Sequence, residues 1–294
     1  MLFLAWALGI LLHATNASAV TFAPTVTDVA VMPGEQESVD FTVANTSDTT
    51  KEYIVSLYDV TLNSSLESPA FAPLPQETSS WLAVDTYGFT LVSGATRVLL
   101  LTASPSADVD DQSTVVGLVV RELSGDNGIA VASGVTSLVF ITVGNPETDA
   151  VVDGFSVTPR VMSTLNVTVA TTIVNGGDRV VQPYGTVQIR NTFGMLVDEV
   201  DVNPSLYRVP TNDQRVYTVR IGDDESGGFF NELWREVVQH RVGVFTARLV
   251  ATPYPGAESA LSATTRFVVF PWRSAIVLLA FCSACIVAWR KRRW

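Results

Sequence analysis

The sequence predicts an all-β protein that consists of two tandem β-sandwiches, with a short helix inserted in the second sandwich and an apolar helix at the C-terminus. Three observations support this prediction. Apolar and polar residues alternate with a period of two along most of the chain, which is typical of strands with one buried face. Turn-forming residues separate these alternating runs. The length of 294 residues suits two domains.

The first sandwich is predicted over residues 20–145. In its second strand, Val39, Phe41 and Val43 point to one face, and Asp40 and Thr42 point to the other. Pro33 and Gly34 form a turn signal before this strand. The predicted strands cover residues 25–31, 38–44, 52–62, 96–103, 114–122 and 135–143.

The second sandwich is predicted over residues 146–271, after a linker at 144–150. Two turn signals that typically connect antiparallel strands occur here, one at Asn175-Gly176 and one beginning at Asn191. The predicted strands cover residues 151–158, 164–174, 185–190, 196–202, 214–221, 242–251 and 263–270.

One segment of the second half breaks the alternation and predicts an amphipathic helix over residues 229–240. Apolar residues recur there with helical spacing, at Phe230, Leu233, Trp234, Val237 and Val238. We expect the helix to cover an open end or edge of the sheet. The alternative is an exposed helix face that binds a partner, with Phe230 and Trp234 as the candidate contacts.

Apolar segments frame the chain. Residues 1–19 predict a cleaved signal peptide, because an apolar run ends in Ala17-Ser-Ala19. Residues 274–289 predict a transmembrane helix, flanked by tryptophans and followed by the basic tail 290–294. Together they predict a single-pass type I membrane protein, with an extracellular or periplasmic ectodomain and a short cytoplasmic tail.

The charge distribution agrees with this topology. All 29 acidic residues precede the last apolar run, whereas five of the 18 basic residues flank it. An acidic exterior argues against nucleic-acid binding. Both cysteines, Cys282 and Cys285, lie inside the predicted membrane helix. The predicted ectodomain therefore contains no disulfide.

Few residues could support catalysis. His240 is the single histidine outside the predicted signal peptide, and its place at the end of the predicted helix suits a favourable helix-dipole contact. We therefore expect no enzyme, no cofactor and no small-molecule substrate. The glycine pairs lack the context of a phosphate-binding loop.

Two acidic clusters remain as weak candidates for a metal site. Clustered carboxylates can bind Ca²⁺, although neither cluster has EF-hand spacing, and both lie in predicted turns. Paired carboxylates would also serve a glycosidase, which we regard as a third possibility, with Asp111 in one cluster or Asp224 in the other as the residue to test. The clusters comprise Asp108, Asp110 and Asp111 in the first half, and Asp223, Asp224 and Glu225 in the second.

The chain resembles the WxL-interacting surface proteins of bacteria, which implies that both sandwiches are immunoglobulin-like. The resemblance lies in strand–turn patterns: a Pro-Gly turn before an Asn-ended strand, a Pro-containing loop before a central strand, and a Phe-rich strand directly before the membrane segment. The segments concerned are residues 31–48, 101–122, 165–194, 242–256 and 267–272.

The resemblance implies that the first domain binds peptidoglycan and that the second binds WxL-type or host proteins. Our expectation is therefore a non-enzymatic, membrane-anchored surface protein that binds a cell-wall polymer, other surface proteins, or both. The alternative is a periplasmic or surface chaperone of the pilus-chaperone type, which would capture a client strand on a free sheet edge.

Overall fold

A computed structural model of the chain describes residues 20–62, 69–123, 134–222, 228–239 and 241–292. The chain divides into two compact units, Met1–Glu147 and Thr148–Trp294. Each unit contains two sheets with an apolar core of its own. The predicted all-β class is therefore confirmed.

The first unit contains a four-stranded sheet in the order β1-β3-β8-β6 and a six-stranded sheet in the order β2-β10-β9-β4-β5, in which β7 also pairs with β4. A short helix, α1 (Gln76–Trp81), precedes β6. The strands are β1 (Val20–Ala23), β2 (Val26–Val31), β3 (Glu37–Asn45), β4 (Lys51–Thr61), β5 (Ala70–Pro73), β6 (Leu82–Val84), β7 (Gly88–Leu91), β8 (Thr96–Ala103), β9 (Gln112–Glu122) and β10 (Gly134–Val143).

The second unit contains a three-stranded sheet, β11-β13-β16, and a five-stranded sheet, β12-β18-β17-β14-β15. Helix α2 (Phe229–Gln239) follows β16, and helix α3 (Trp272–Lys291) follows β18. The strands are β11 (Ala150–Thr158), β12 (Val161–Met162), β13 (Asn166–Asn175), β14 (Tyr184–Arg190), β15 (Leu196–Asp201), β16 (Asp213–Gly222), β17 (Gly243–Thr252) and β18 (Leu261–Val269).

The two units begin in the same way, because the first strand segment of each changes sheets at a cis-proline. In the first unit, β1 pairs antiparallel with β3, the bond before Pro24 is cis, and β2 then pairs parallel with β10. In the second unit, β11 pairs antiparallel with β13, the bond before Pro159 is cis, and β12 pairs parallel with β18. The start of each unit thus contributes a strand to both of its sheets.

The alternation of residues explains how each core forms. In β13, every second residue is buried, from Val167 to Asn175, while the residues between them are half-buried. Inward residues from the facing sheet complete the layer, because sandwich cores form from the alternate residues of both sheets. The largest fully buried side chains are Tyr53, Phe41, Phe267, Leu99, Leu118, Ile141, Leu165, Ile173, Ile189 and Leu249.

A buried asparagine, Asn45, is the last residue of β3 in the first unit. The Asn45 side-chain amide donates to the carbonyl oxygens of Thr49 at 2.8 Å and Leu91 at 3.0 Å. Its Oδ1 accepts from the backbone N–H of Ser47 at 3.1 Å. Asn45 thus connects the β3–β4 turn to the end of β7.

Asn175 has the corresponding role in the second unit. Its amide donates to the carbonyl oxygens of Arg179, Val209 and Pro210 at 2.8–3.2 Å, and its Oδ1 accepts from the backbone N–H of Gly177. Both asparagines are fully buried. Each therefore supplies partners to backbone groups that would otherwise lie unpaired in the interior.

Helix α3 is long and apolar, and none of its residues is buried in the structure. It has 20 residues, and its most apolar 18-residue window has a mean hydropathy of 1.8. By length and composition, it is the one helix in the described part of the chain that could cross a membrane.

The structure confirms the long predicted strands and the helix near residue 229, with boundaries that shift by one or two residues. It adds short elements that the pattern did not predict: β1, β5, β6, β7, β12 and α1. Two to six residues are too few to establish a periodicity. The predicted signal peptide lies outside the described residues.

We predict that replacing either buried asparagine with alanine destabilises its unit by about 2 kcal/mol, because several backbone groups lose their partner. Asn45→Asp should also destabilise, since a carboxylate cannot donate to the carbonyls of Thr49 and Leu91. Chemical denaturation of the purified chain measures both effects. Exposed Thr42→Ala is the matched control, and an equally small effect of Asn45→Ala would contradict the role of Asn45.

Candidate functional site

The predicted acidic cluster of the first unit, Asp108, Asp110 and Asp111, lies in the loop between β8 and β9. The Ser106 hydroxyl donates to Asp108, and this bond lowers the pKa of the Asp108 carboxyl, with help from a backbone bond. The Asp111 carboxylate lies against Gly144, where a Cβ would clash with it. Across the described ranges, no three His, Cys, Asp or Glu side chains lie close enough to bind a metal ion. Asp110, like its neighbours, belongs to this solvated loop.

The remaining polar candidates lie elsewhere. Asp223, Asp224, Glu225 and His240 fall outside the described residues. Cys282 and Cys285 are free thiols exposed on α3.

A polar cluster of the second unit joins α2 to the first turn of α3. The side chain of Glu236 is fully buried there. Its Oε2 accepts from the backbone N–H of Ser274 at 2.7 Å and from the Ser274 hydroxyl at 2.9 Å. Its Oε1 accepts from Arg273 Nη1 at 3.2 Å. We call this cluster the α2–α3 junction.

Arg273 extends the junction to the sandwich. Its Nη1 also donates to the Ser163 hydroxyl at 2.7 Å, in the segment between β12 and β13, and lies 3.9 Å from Glu232 Oε2. The carboxylate of Glu236 therefore has a cation and two further donors, as a buried charge requires. The sequence pattern did not indicate these roles of Glu236 and Ser163, because they lie 37 and 110 positions from their partner Arg273.

The apolar side of α2 faces solvent in the structure. Phe230 is 81% exposed and Trp234 is 68% exposed, and Phe229 and Val237 are exposed as well. The expectation that this face covers an end or edge of the sheet is therefore wrong for Phe230 and Trp234. The reason is that the polar side, through Glu236, bonds to α3 and turns the apolar side outward.

A second accessible feature is the outer edge of β16. This strand pairs with β13 over ten residues in an unbroken register, and no strand of the described part pairs with its other edge. Gly176 directly follows β13, and its N–H donates to the carbonyl of Asp149, which directly precedes β11. Because every second residue of an antiparallel strand bonds to a given neighbour, the even-numbered residues of β13 bond to β11. The odd-numbered ones then bond to β16.

The register identifies the free backbone groups of β16. Thr171 lies opposite Tyr217, so the backbone of Tyr217 bonds to β13, and the backbones of Val216 and Thr218 point to the open edge. The Tyr217 ring is buried, which raises the pKa of its hydroxyl, and that hydroxyl donates to the Tyr207 carbonyl at 3.1 Å. The side chain of Tyr217 thus fixes β16 to the core, and the outer edge of the strand is left accessible.

Three of the other edge strands, β15, β11 and β6, have features that oppose strand addition. Strand β15 carries Asp198, Glu199 and Asp201, β11 has a register shift after Val152, and β6 has three residues. At the end of β6, Asp85 bonds to the backbone of Leu100 on β8. Strand β16 is longer than these three strands, pairs in an unbroken register and contains no proline; its charged residues are Asp213, Arg215 and Arg220.

No protein-family model matches the chain, and no curated protein matches it. Among solved structures, the chain is similar to the class 5 fimbriae chaperone CfaA, with 11% identity and a TM-score of 0.45 over 85% of this chain and 99% of that one. The YadV chaperone gives 8% identity and a TM-score of 0.40 over 84% and 99%. The E. coli chaperone DraB gives 12% and 0.37 over 84% and 96%. Values this low carry no conclusion about function.

We predict that Glu236→Ala destabilises the second unit by about 2 kcal/mol, because it leaves Arg273 and the Ser274 N–H without their buried partner. Thermal unfolding of the full chain in detergent micelles measures the effect. Glu258→Ala, which removes an exposed carboxylate of the same unit, should change stability by less than about 0.5 kcal/mol. Equal effects of the two substitutions would refute the role assigned to Glu236.

Proposed function

We propose that this chain is a non-enzymatic, membrane-anchored protein that presents two β-sandwiches outside the cytoplasm and binds a partner protein along the open edge of β16. The observation that supports this proposal is the open edge of β16. The strand pairs with β13 over ten residues in regular register, and no described strand pairs with the backbone groups of Val216 and Thr218 on its other edge. An extended partner segment could add there as a further strand.

Helix α3 supports the membrane anchorage. Its 20 residues would extend about 30 Å at 1.5 Å per residue, which equals the hydrocarbon thickness of a bilayer. Arg290 and Lys291 lie in its last turn, where the positive-inside rule places them on the cytoplasmic side. Both sandwiches then lie on the other side of the membrane.

The open edge bears on the two function classes expected from the sequence. Strand addition suits a surface protein that binds another protein, and it equally suits an assembly factor that holds a client strand. In the first unit, β8 has the place in its sheet that β16 has in the second unit, and β6 pairs with β8 over Leu101–Ala103. The second unit is therefore the better candidate for strand capture, in keeping with the protein-binding role that the resemblance to WxL-interacting proteins implies for it.

A photo-crosslinking residue in place of Val216 tests the proposal. The full chain, reconstituted in nanodiscs, is mixed with a surface-protein fraction from the source cells and irradiated. We expect a discrete protein adduct at position 216 and none at Arg248, an exposed position on the central strand β17.

Thr218→Pro supplies the specific control, because proline removes an outward N–H and leaves the β13–β16 bonds in place. It should lower the adduct yield about tenfold, whereas Thr218→Val should not. If Thr218→Pro proves unstable, Val216→Lys with the crosslinker at Gln214 repeats the test. Adducts that persist in both variants would refute strand addition. Retention of the chain on isolated cell wall, unchanged by Thr218→Pro, would favour a polymer ligand instead.

A further inference from the structure

We propose that α2 and the adjoining end of the second sandwich lie in the interfacial layer of the bilayer that α3 crosses, so that lipid covers their exposed apolar side chains. The inference rests on the membrane anchorage proposed above and adds a second contact with the same membrane. We call this surface the apolar rim. It comprises Phe193, Met195, Phe230, Trp234, Val242 and Phe270, all of which are exposed.

The first step is the orientation of α2. In an ordinary surface helix, the apolar side packs on the core and the polar side faces water. Here Glu236 on the polar side is buried against the first turn of α3, and Phe230 and Trp234 on the apolar side are exposed. This orientation suits a helix whose outer surroundings are apolar.

The second step is the position of the remaining rim residues. Strand β17 begins, and β18 ends, at the end of the sheet from which α3 starts, since Gly243 pairs with Val269. The loop after β14 lies at the same end, because the Thr192 hydroxyl donates to the Val244 carbonyl at 2.9 Å. Phe193, 84% exposed, belongs to that loop.

The third step is depth. Because α3 has about the length that the hydrocarbon core requires, its first residue, Trp272, lies at the membrane surface when α3 spans. Arg273 stacks on the Trp272 ring, with 4.6 Å between its guanidinium carbon and the ring centroid, and bonds to Glu236. Helix α2 is therefore held at the level of the headgroups.

Composition and charge agree with a lipid surface. Phenylalanine and tryptophan on one side of a short helix are typical of interfacial helices. The charges of Glu236 and Arg273 compensate each other, and Ser163 and Ser274 satisfy further polar atoms. No uncompensated charge of the junction thus opposes contact with the membrane.

Fluorescence quenching by brominated lipids tests the inference. In a Cys282→Ser, Cys285→Ser background, single cysteines replace Phe230, Leu279 on α3, or Tyr184 at the opposite end of β14, and each is labelled with bimane. The full chain is reconstituted in phosphatidylcholine–phosphatidylglycerol vesicles with or without bromine on the acyl chains. We expect strong quenching at positions 230 and 279, and none at 184.

The labels at positions 230 and 279 test the interfacial contact and the membrane anchor separately. Quenching at 279 without quenching at 230 would overturn the interfacial contact and leave the anchor intact, whereas no quenching at 279 would overturn the anchor itself. A label at Phe193 repeats the measurement in another segment of the rim, in case Phe230→Cys impairs folding. If the labelled position 230 is not quenched and the unlabelled Phe230→Cys chain forms disulfide-linked dimers, the rim would be assigned to a second copy of the chain, which would equally overturn the proposal.

Discussion

The two sandwiches depend on the pairing of backbone groups at the point where a strand ends inside the fold. Asn45 and Asn175 are fully buried at that point, and each gives its amide hydrogens to carbonyls of other segments. The described parts of the two sandwiches contain no disulfide, so these bonds and apolar burial hold the loops to the sheets. The same device at the same place in both units, together with the cis-proline strand switch, shows that they share one plan.

The shared plan determines which edge strands are covered in each unit. The strand switch adds β2 beside β10 and β12 beside β18, so that each last strand is covered on one side. The first unit also covers part of the outer edge of β8 with β6, whereas in the second unit no described strand pairs with the outer edge of β16. Units with one plan therefore differ in the edge that could bind a partner strand.

The sequence predicted the long strands because a one-sided core requires alternation, and β13 shows it over its full length. It predicted α2 as well, from the spacing of Phe230, Trp234 and Val237. It did not predict what each side of α2 contacts. Periodicity shows that one side of a helix is apolar and the other polar, but it does not show what either side packs against. Nothing in the sequence distinguishes the carboxylate of Glu236 from that of a surface residue, because its partners Arg273 and Ser274 are 37 and 38 positions away.

The orientation of α2 follows from a balance between its two sides. If the apolar side packed on the sandwich, Glu236 would face water and Arg273 would lose its closest carboxylate. In the observed arrangement, the buried pair and the Ser274 bonds are kept, and the large side chains of Phe230 and Trp234 are left uncovered. In water, this exposure would be unfavourable by roughly 1.5–3 kcal/mol for each large side chain. A bilayer surface at the first turn of α3 removes that penalty, so that the polar and apolar sides of α2 are both satisfied at once.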